Sequence, residues 1–123
     1  MKDIYTNKAP KPIGPYSQAK EASGLLFCSG QIAIDPESNT FENSSIGEQT
    51  ERVCQNIRCV LEAAGLSLQN VVKTTCFLTD PDSFAPFNEV YARFFTSKPS
   101  RSLVFVSALP KNALVEIETI AEK

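Results

Sequence analysis

The most informative absence from this sequence is histidine, which does not occur anywhere in the 123 residues. Histidine is the commonest metal ligand and the side chain best suited to proton transfer near neutral pH. Its absence excludes every Ser–His or Cys–His nucleophilic pair. Any chemistry must therefore use arginine, carboxylates, tyrosine, cysteine, lysine or backbone groups.

The sequence also lacks an excess of positive charge and a long apolar run. Twelve basic against fourteen acidic residues give a net charge of -2, so no overall field attracts phosphate and a nucleic-acid partner is disfavoured. No stretch approaches the roughly 20 apolar residues that a membrane span needs. Residues 1–14 lack the apolar core of a signal peptide. We therefore expect a cytoplasmic protein with no membrane partner.

The four cysteines follow no C-x-x-C spacing. The closest pair, Cys54 and Cys59, would lie about 140° apart around a helix and could not both face one metal ion. All four fall in segments that we expect to be regular and buried, namely at Cys28, Cys54, Cys59 and Cys76. We interpret them as reduced core thiols and expect no metal site.

Length and composition favour one globular domain. Hydrophobic residues make up 42% and charged residues 21% of the chain, which is ordinary globular usage. A chain of 123 residues is too short for two independent cores. We predict a single domain over residues 1–123, with an ordered loop over the proline-rich residues 8–16.

A first helix is predicted in the middle of the chain. Ser45 and Glu48 have the spacing of a capping box, and Gly65 is placed to end the helix. The apolar stripe comprises Val53, Ile57, Val60, Leu61 and Ala64.

A second helix is predicted after Asp80-Pro81. Asp82 or Ser83 is expected to cap it, and Pro86 falls in the first turn, where its missing N–H costs little. The aromatic residues at helical spacing are Phe84, Phe87, Tyr91 and Phe94.

Apolar, β-branched segments predict four strands, over residues 25–34, 71–79, 103–109 and 114–121. Residues 35–47 are polar enough for a loop. The last two strands, joined by a turn at 110–112, are expected to pair antiparallel. The order of elements predicts an α+β fold, a mixed sheet with both helices packed on one face.

Two helices on one face leave the other face of the sheet bare. Exposing several apolar side chains to water there would cost many kcal/mol, at about 25 cal/mol per Å² of apolar surface. We therefore expect a homo-oligomer, with a long loop over that face as the alternative.

Arg101 is the first candidate for a functional site. It stands between Pro99 and a strongly apolar strand. Its planar guanidinium matches a carboxylate bidentately and stays charged at physiological pH. The alternative is an ordinary surface ion pair.

Four other side chains are candidates, each with an ordinary structural alternative. Glu116 and Glu118 lie two apart on a strand and must share a side; one could orient a water in a cleft, or both could face solvent. Tyr16 follows a rigid Gly-Pro turn, which suits a lid or a core plug. Asn88 lies near the start of an aromatic helix, where a structural hydrogen bond is the default expectation.

Short motifs spread nearly end to end carry a family resemblance. In order they are Ile13-Gly14-Pro15-Tyr16, Ser29-Gly30-Gln31, Glu62-Ala63-Ala64-Gly65-Leu66, Val72-Lys73-Thr74-Thr75, Pro99-Ser100-Arg101-Ser102 and Val115-Glu116-Ile117-Glu118. Together they resemble the reactive intermediate deaminase A family, RidA, also called YjgF.

The resemblance implies a chorismate-mutase-like fold, a homotrimer with clefts between subunits, and hydrolysis of 2-imino acids to 2-oxo acids and ammonia. It implies that Arg101 binds the substrate carboxylate and that Glu116 positions the attacking water. The other positions that match cleft residues of the family, contributed from both sides of the interface, are Tyr16, Ser29, Gly30, Asn88 and Leu103.

Two positions depart from the family pattern. Ser100 replaces a common alanine, and Leu103 replaces a frequent cysteine. A backbone contact at position 103 survives that change, but a thiol nucleophile there does not. Direct attack by water is therefore expected.

Hydrolysis of an imine already conjugated to a carboxylate needs an anion clamp, a positioned water and a proton relay, so we expect no cofactor and no metal. The expected substrates are 2-iminobutanoate, 2-iminopropanoate and their enamine tautomers, in a small apolar pocket lined by residues such as Phe87 and Leu103. The alternatives are a regulatory module that senses 2-oxo or amino acids without turnover and an RNA-cleaving protein, the latter disfavoured by the acidic charge.

Overall fold

The fold combines a large sheet, a small two-stranded ribbon and two α-helices. The computed structural model describes all residues, 1–123. In chain order the elements are β1 (Lys2–Ile4), β2 (Ala19–Ala22), β3 (Leu25–Gln31), β4 (Ile34–Asp35), β5 (Thr40–Phe41), α1 (Ile46–Ala63), β6 (Val71–Leu78), α2 (Phe84–Phe94), β7 (Ser100–Phe105) and β8 (Val115–Glu122). Short 3-10 turns cover Leu68–Asn70, Pro81–Ser83 and Pro110–Asn112.

The large sheet has the strand order β1-β2-β3-β8-β6-β7. Its strands pair antiparallel except β6 and β7, which run parallel. The helices pack against each other, and α1 contacts β3 and β8. The predicted α+β fold, a mixed sheet with both helices on one face, is therefore confirmed.

Helix α1 begins and ends where the sequence places its signals. The Ser45 hydroxyl accepts from the Glu48 N–H at 3.2 Å, and the Glu48 carboxylate reaches back to the Ser45 N–H at 3.5 Å. Beyond the helix, Gly65 adopts φ 76°, and the N–H groups of Gly65 and Leu66 donate to the carbonyls of Glu62 and Leu61 at 2.9 Å. This is a Schellman ending, which needs the left-handed conformation that glycine tolerates.

The predicted strand over residues 25–34 divides into two elements. The register of β3 against β8 shifts between Cys28 and Gln31, and Ile34 belongs instead to the ribbon of β4 and β5. The amide of Asn56 on α1 lies 3.4 Å from the Ile32 carbonyl and donates to the Ile34 carbonyl at 2.9 Å. The expectation of one continuous strand was wrong because these carbonyls bond to the helix rather than to a strand. The loop predicted over 35–47 likewise contains β5.

Ser83, one of the two residues predicted to cap the second helix, takes the N-cap position, but its side chain does not form the hydrogen bond of a cap. Asp80 caps the 3-10 turn ahead of α2, accepting from the Asp82 N–H at 2.9 Å. The chain therefore enters α2 through a turn that already has its own cap.

The expected antiparallel pair of the last two strands does not form. Strand β7 pairs in parallel with β6, while β8 inserts between β3 and β6. The helix-facing residues of β8 are all buried, namely Val115, Ile117, Thr119 and Ala121. Burial of this kind requires a central strand, whereas β7 is mostly exposed and suits an edge.

The sheet face opposite the helices, here called the open face, carries two apolar pairs that the strand registers place side by side, Phe27 with Ile120 and Phe77 with Val104. Phe27 is 44% exposed and Val104 is 43% exposed. The alternative of a loop that covers this face therefore fails for both residues. In the single chain these apolar side chains are uncovered, on a face that also carries Glu116 and Glu118.

Three of the cysteines, Cys28, Cys54 and Cys76, are buried as expected, whereas Cys59 is only half-buried. None forms a disulfide. Neither helix combines the length and apolar character needed to cross a bilayer.

Candidate functional site

Arg101 is held on the helix-facing side of edge strand β7 by helix α2. One guanidinium nitrogen donates to the Asn88 side-chain oxygen at 2.7 Å. The guanidinium carbon lies 4.9 Å from the centroid of the Tyr91 ring. The ion pairs of the chain, Lys20–Asp3, Arg52–Glu42 and Lys123–Glu21, do not include Arg101. Its charge is therefore oriented but not neutralised, and the alternative of a surface ion pair is not what the structure shows.

Leu103 lies two residues further along β7, beside the buried Cys76 of β6. Its side chain is half-buried and packs against the main core. A leucine at this position extends the core to the sheet edge. Phe87, by contrast, is fully buried, so the expectation that it lines a pocket was wrong.

Glu116 occupies the other side of the sheet, on β8. Its carboxylate lies directly over Gly30 of β3, where the Cβ of any larger residue would overlap it. Glu118 lies on the same side of the strand, as predicted, but is exposed. Burial raises the pKa of Glu116, and the negative charge of Glu118 raises it further. A carboxyl group with a raised pKa is suited to both accepting and donating a proton near neutral pH.

Ser29 and Tyr16 lie near this glutamate. The Ser29 hydroxyl donates to the Ser17 carbonyl at 2.6 Å. Tyr16 is 48% exposed, and its hydroxyl accepts from the Ile13 N–H at 3.3 Å. The loop that carries Tyr16 is therefore folded on itself, as the Gly-Pro turn predicts, while the aromatic ring is open to solvent.

Sequence reasoning missed Gln18, the residue that fixes this loop. Its buried amide accepts from the Thr6 N–H at 2.7 Å and donates to the carbonyls of Thr6 and Pro10 at 3.1 Å and 2.8 Å. The only available signal was a glutamine beside a small buried residue, Ala19, at the start of a strand. That signal is weak because most glutamines are exposed.

The predicted site residues other than Leu103 fall into two separate hollows of the single chain. The first, called the acidic hollow, has a volume of about 420 Å³, and its lining includes Lys11, Tyr16, Ser29, Gly30, Glu116 and Glu118. The second, called the basic hollow, has a volume of about 470 Å³ and is lined by Asn88, Tyr91, Ala92, Phe95, Thr96, Lys98, Pro99 and Arg101. The structure thus brings Arg101 to Asn88 and brings Glu116 to Gly30, but leaves the two groups apart. Leu103 lines neither hollow.

The chemistry of the two hollows is complementary. The basic hollow contains two cations and no carboxylate, so it suits an anion. The acidic hollow contains two carboxylates and one lysine. No three potential metal ligands lie close together in the chain.

Comparison with known proteins places these features in a family. The profile of the family described as Endoribonuclease L-PSP matches residues 6–123. A RutC family protein of Pyrococcus horikoshii is 54% identical over 98% of this chain and 96% of its own length. The solved RidA of an Antarctic Psychrobacter species superposes with a TM-score of 0.96 and 41% identity over 100% of both chains. The solved TdcF of E. coli, with bound serine, gives a TM-score of 0.95 and 38% identity over 100% of this chain and 99% of that one. With a fold and a sequence shared over its whole described length, the chain belongs to the YjgF/RidA/RutC family.

Proposed function

We propose that this protein hydrolyses reactive 2-imino acids to 2-oxo acids and ammonia, at a cleft shared between two copies of the chain. The observation that carries the proposal is the guanidinium of Arg101, which Asn88 and Tyr91 orient and no carboxylate neutralises. An arginine fixed in this way is ready to bind a small carboxylate through two parallel hydrogen bonds. Its partner in catalysis is Glu116.

The positions of the two hollows bear on the quaternary structure of the protein. Because Arg101 and Glu116 lie in different hollows and on opposite faces of the sheet, they act on one substrate only if each comes from a different chain. The open face exposes the apolar side chains of Phe27 and Val104, which that association can cover. We propose a homotrimer with one cleft at each subunit boundary.

The reaction follows from the placement of the two charged groups. Arg101 holds the substrate carboxylate, and Glu116 accepts a proton from a water as its oxygen adds to the protonated imine carbon. Protonated Glu116 then returns the proton to the nitrogen of the carbinolamine. Ammonia leaves as the carbonyl forms and takes the hydroxyl proton with it as ammonium. Addition of water and departure of ammonia are assisted only by proton transfer, so the proposed chemistry requires no metal or cofactor.

The substrates are small carboxylates with short side chains, such as 2-iminobutanoate and 2-iminopropanoate. The solved TdcF holds serine, which has a carboxylate, a nitrogen on the adjacent carbon and a short side chain. These groups correspond to the ones that Arg101 and Glu116 would contact in an imino acid. The apolar residues beside Arg101 are Tyr91, Ala92, Phe95 and Pro99.

Cleavage of RNA is less well supported, although the family profile is named for a ribonuclease. The acidic hollow contains Glu116 and Glu118, which repel a phosphodiester backbone. The chain as a whole has a net charge of -2. A basic groove for RNA is not visible beside the candidate acid.

The test is a competition for a transient imine. A pyridoxal-phosphate-dependent threonine dehydratase releases 2-iminobutanoate, which semicarbazide traps unless it is hydrolysed first. Adding this protein should raise 2-oxobutanoate and lower the trapped imine. An unchanged partition, with the dehydratase shown to be active, would disprove the deaminase function. Retained binding of 2-oxobutanoate in that event would instead favour a sensing role.

A further inference from the structure

Two side chains of helix α2 contact the guanidinium of Arg101 from different directions. Asn88 accepts a hydrogen bond from one guanidinium nitrogen, and the guanidinium carbon lies over the ring of Tyr91. The two residues lie three apart, so they project from the same side of the helix. The family resemblance implies a cleft position for Asn88, whereas Tyr91 is predicted only as one of the aromatic residues along the second helix.

The ring of Tyr91 is itself fixed on several sides. Its hydroxyl shares a hydrogen bond of 2.8 Å with the fully buried Thr74 hydroxyl of β6. Its ring centroid lies 4.5 Å from that of Phe95 and 5.5 Å from that of Phe87. Only 8% of Tyr91 is exposed. The ring therefore has little freedom to move away from Arg101.

The contacts form a closed circuit of interactions that includes Arg101. Thr74 on β6 is the direct neighbour of Arg101 on β7. Backbone pairing joins Arg101 to Thr74, the hydroxyl pair joins Thr74 to Tyr91, and the aromatic face returns to Arg101. The sheet thus fixes the backbone of Arg101, and helix α2 fixes its guanidinium.

The phenol contacts Arg101 as a neutral group. Burial raises the pKa of Tyr91 above its ordinary value, so the hydroxyl stays protonated at neutral pH. The attraction is consequently that between a cation and the negative face of an aromatic ring, not an ion pair. The positive charge of Arg101 remains available for a substrate anion.

We propose that Tyr91 is a positioning residue, whose ring holds the Arg101 guanidinium at the angle needed for a carboxylate and whose hydroxyl is anchored by Thr74. This inference rests on the proposed role of Arg101. A flexible arginine loses side-chain entropy when it binds. Because Tyr91 already restrains the guanidinium in the free protein, less side-chain entropy is lost when the substrate binds. The main effect of Tyr91 is therefore on substrate affinity.

The first test measures the mobility of Arg101 directly, by ¹⁵N relaxation of the arginine Nε–Hε groups. The chain has four arginines, Arg52, Arg58, Arg93 and Arg101. The Nε–Hε signal that is missing from the spectrum of Arg101→Lys belongs to Arg101. Arg101 and Arg93 are both exposed, but the contacts of Arg101 with Asn88 and Tyr91 should make it rigid, with Arg93 as the mobile reference. Equal mobility of Arg101 and Arg93 in the wild-type protein overturns the proposal without any variant at position 91.

The second test separates the ring from the hydroxyl. Tyr91→Leu should mobilise the Arg101 signal and raise the Kd for 2-oxobutanoate roughly three- to tenfold, the effect of losing one cation–π contact. Tyr91→Phe keeps the ring and should stay within about twofold of the wild type. An equal loss in both variants overturns the claim that the ring holds the guanidinium.

Phe94→Leu is the matched control. Phe94 lies on the same helix under Arg58, with 5.8 Å between the guanidinium carbon and the ring centroid, and lines neither hollow. It should lower the melting temperature without changing Arg101 mobility or 2-oxobutanoate binding. An effect on binding equal to that of Tyr91→Leu would show a general consequence of lost helix packing and overturn the proposal.

Failure of this inference differs from failure of the proposed function. If the wild type hydrolyses imines and Tyr91→Leu leaves both Arg101 mobility and the Kd unchanged, the positioning role is wrong and the function stands. If the wild type binds no 2-oxo acid but Tyr91→Leu mobilises Arg101, the function is wrong and the positioning of the guanidinium stands.

Discussion

The carboxylate of Glu116 lies against the backbone of Gly30 so closely that a Cβ at position 30 would overlap its Oε2 atom. Gly30 belongs to β3 and Glu116 to the adjacent β8, near the irregularity where the register between these strands shifts. The absence of a side chain at position 30 is what lets the carboxylate lie there. Strand pairing and glycine together fix the position of the proposed base.

Gly30→Ala should therefore displace Glu116 while leaving Arg101 untouched. We expect kcat to fall about 100-fold, the effect of moving a catalytic group by roughly 1 Å, with the Kd for 2-oxobutanoate changed much less. Gly47→Ala is the control, because a Cβ there would meet Val90 at an ordinary 3.8 Å. Full activity in Gly30→Ala would show that the observed position of Glu116 is not the working one.

The raised pKa of Glu116 predicts the acid side of the pH profile. Burial raises this pKa first and the charge of Glu118 second. Because Glu116 must be ionised to accept the proton of water, kcat/KM should fall as the pH drops through the raised value. Glu118→Gln removes the neighbouring charge and should move this fall to lower pH. A pH profile that is the same in Glu118→Gln and the wild type would show that another group causes the fall in kcat/KM at low pH.

The pH dependence of folding stability provides an independent check on the raised pKa of Glu116. A glutamate whose pKa is higher in the folded than in the unfolded state binds its proton more tightly when folded. The wild type should therefore lose stability as the pH rises from the unfolded pKa through the raised folded one. Glu116→Gln should not show this loss in urea unfolding measured across the same range. Parallel pH curves for the two proteins would contradict the raised pKa.

Arg101→Lys tests whether geometry or charge alone binds the substrate. Lysine keeps the positive charge but loses the planar pair of donors and the guanidinium group that lies over the Tyr91 ring. We expect binding of 2-oxobutanoate to weaken by about 1.5 to 3 kcal/mol, the range for a hydrogen bond to a charged group. Isothermal titration measures the change. Binding equal to the wild type would mean that the carboxylate is held elsewhere.

The open face predicts the oligomeric state. Phe27→Glu places a charge on this face and should give monomers with no deaminase activity, measured by sedimentation and the semicarbazide assay. Phe84→Glu is the control, because Phe84 is exposed to nearly the same extent, 43% against 44%, but lies on α2. A trimeric and active Phe27→Glu protein would show that the chains associate through another surface.

Local signals predicted local structure well. The capping box of Ser45 and Glu48 and the terminal Gly65 placed α1 correctly because each acts through backbone groups only a few residues away. The pairing of β8 was mispredicted because short connections favour neighbours in sequence, whereas the buried face of β8 required the sheet centre. The division of residues 25–34 depended on Asn56, more than twenty positions away.

The same distinction applies to the candidate site. Arg101, Glu116 and Gly30 could be selected from residue chemistry and family motifs, because charge and small size are legible in the sequence. The supporting contacts of Tyr91 and Gln18 could not, since each side chain resembles ordinary packing until the fold brings Thr74, Arg101 and the loop carbonyls to it.

The most direct test of the shared cleft mixes two inactive variants, Arg101→Ala and Glu116→Gln, in one population of oligomers. If each cleft takes its arginine from one chain and its glutamate from the next, every mixed trimer has both groups in one of its three clefts. Co-expression with different affinity tags, followed by tandem purification, isolates the mixed oligomers for the semicarbazide assay. We predict that they recover a substantial part of the wild-type deaminase activity. Mixed oligomers as inactive as either variant alone would place both groups within a single chain and contradict the shared cleft.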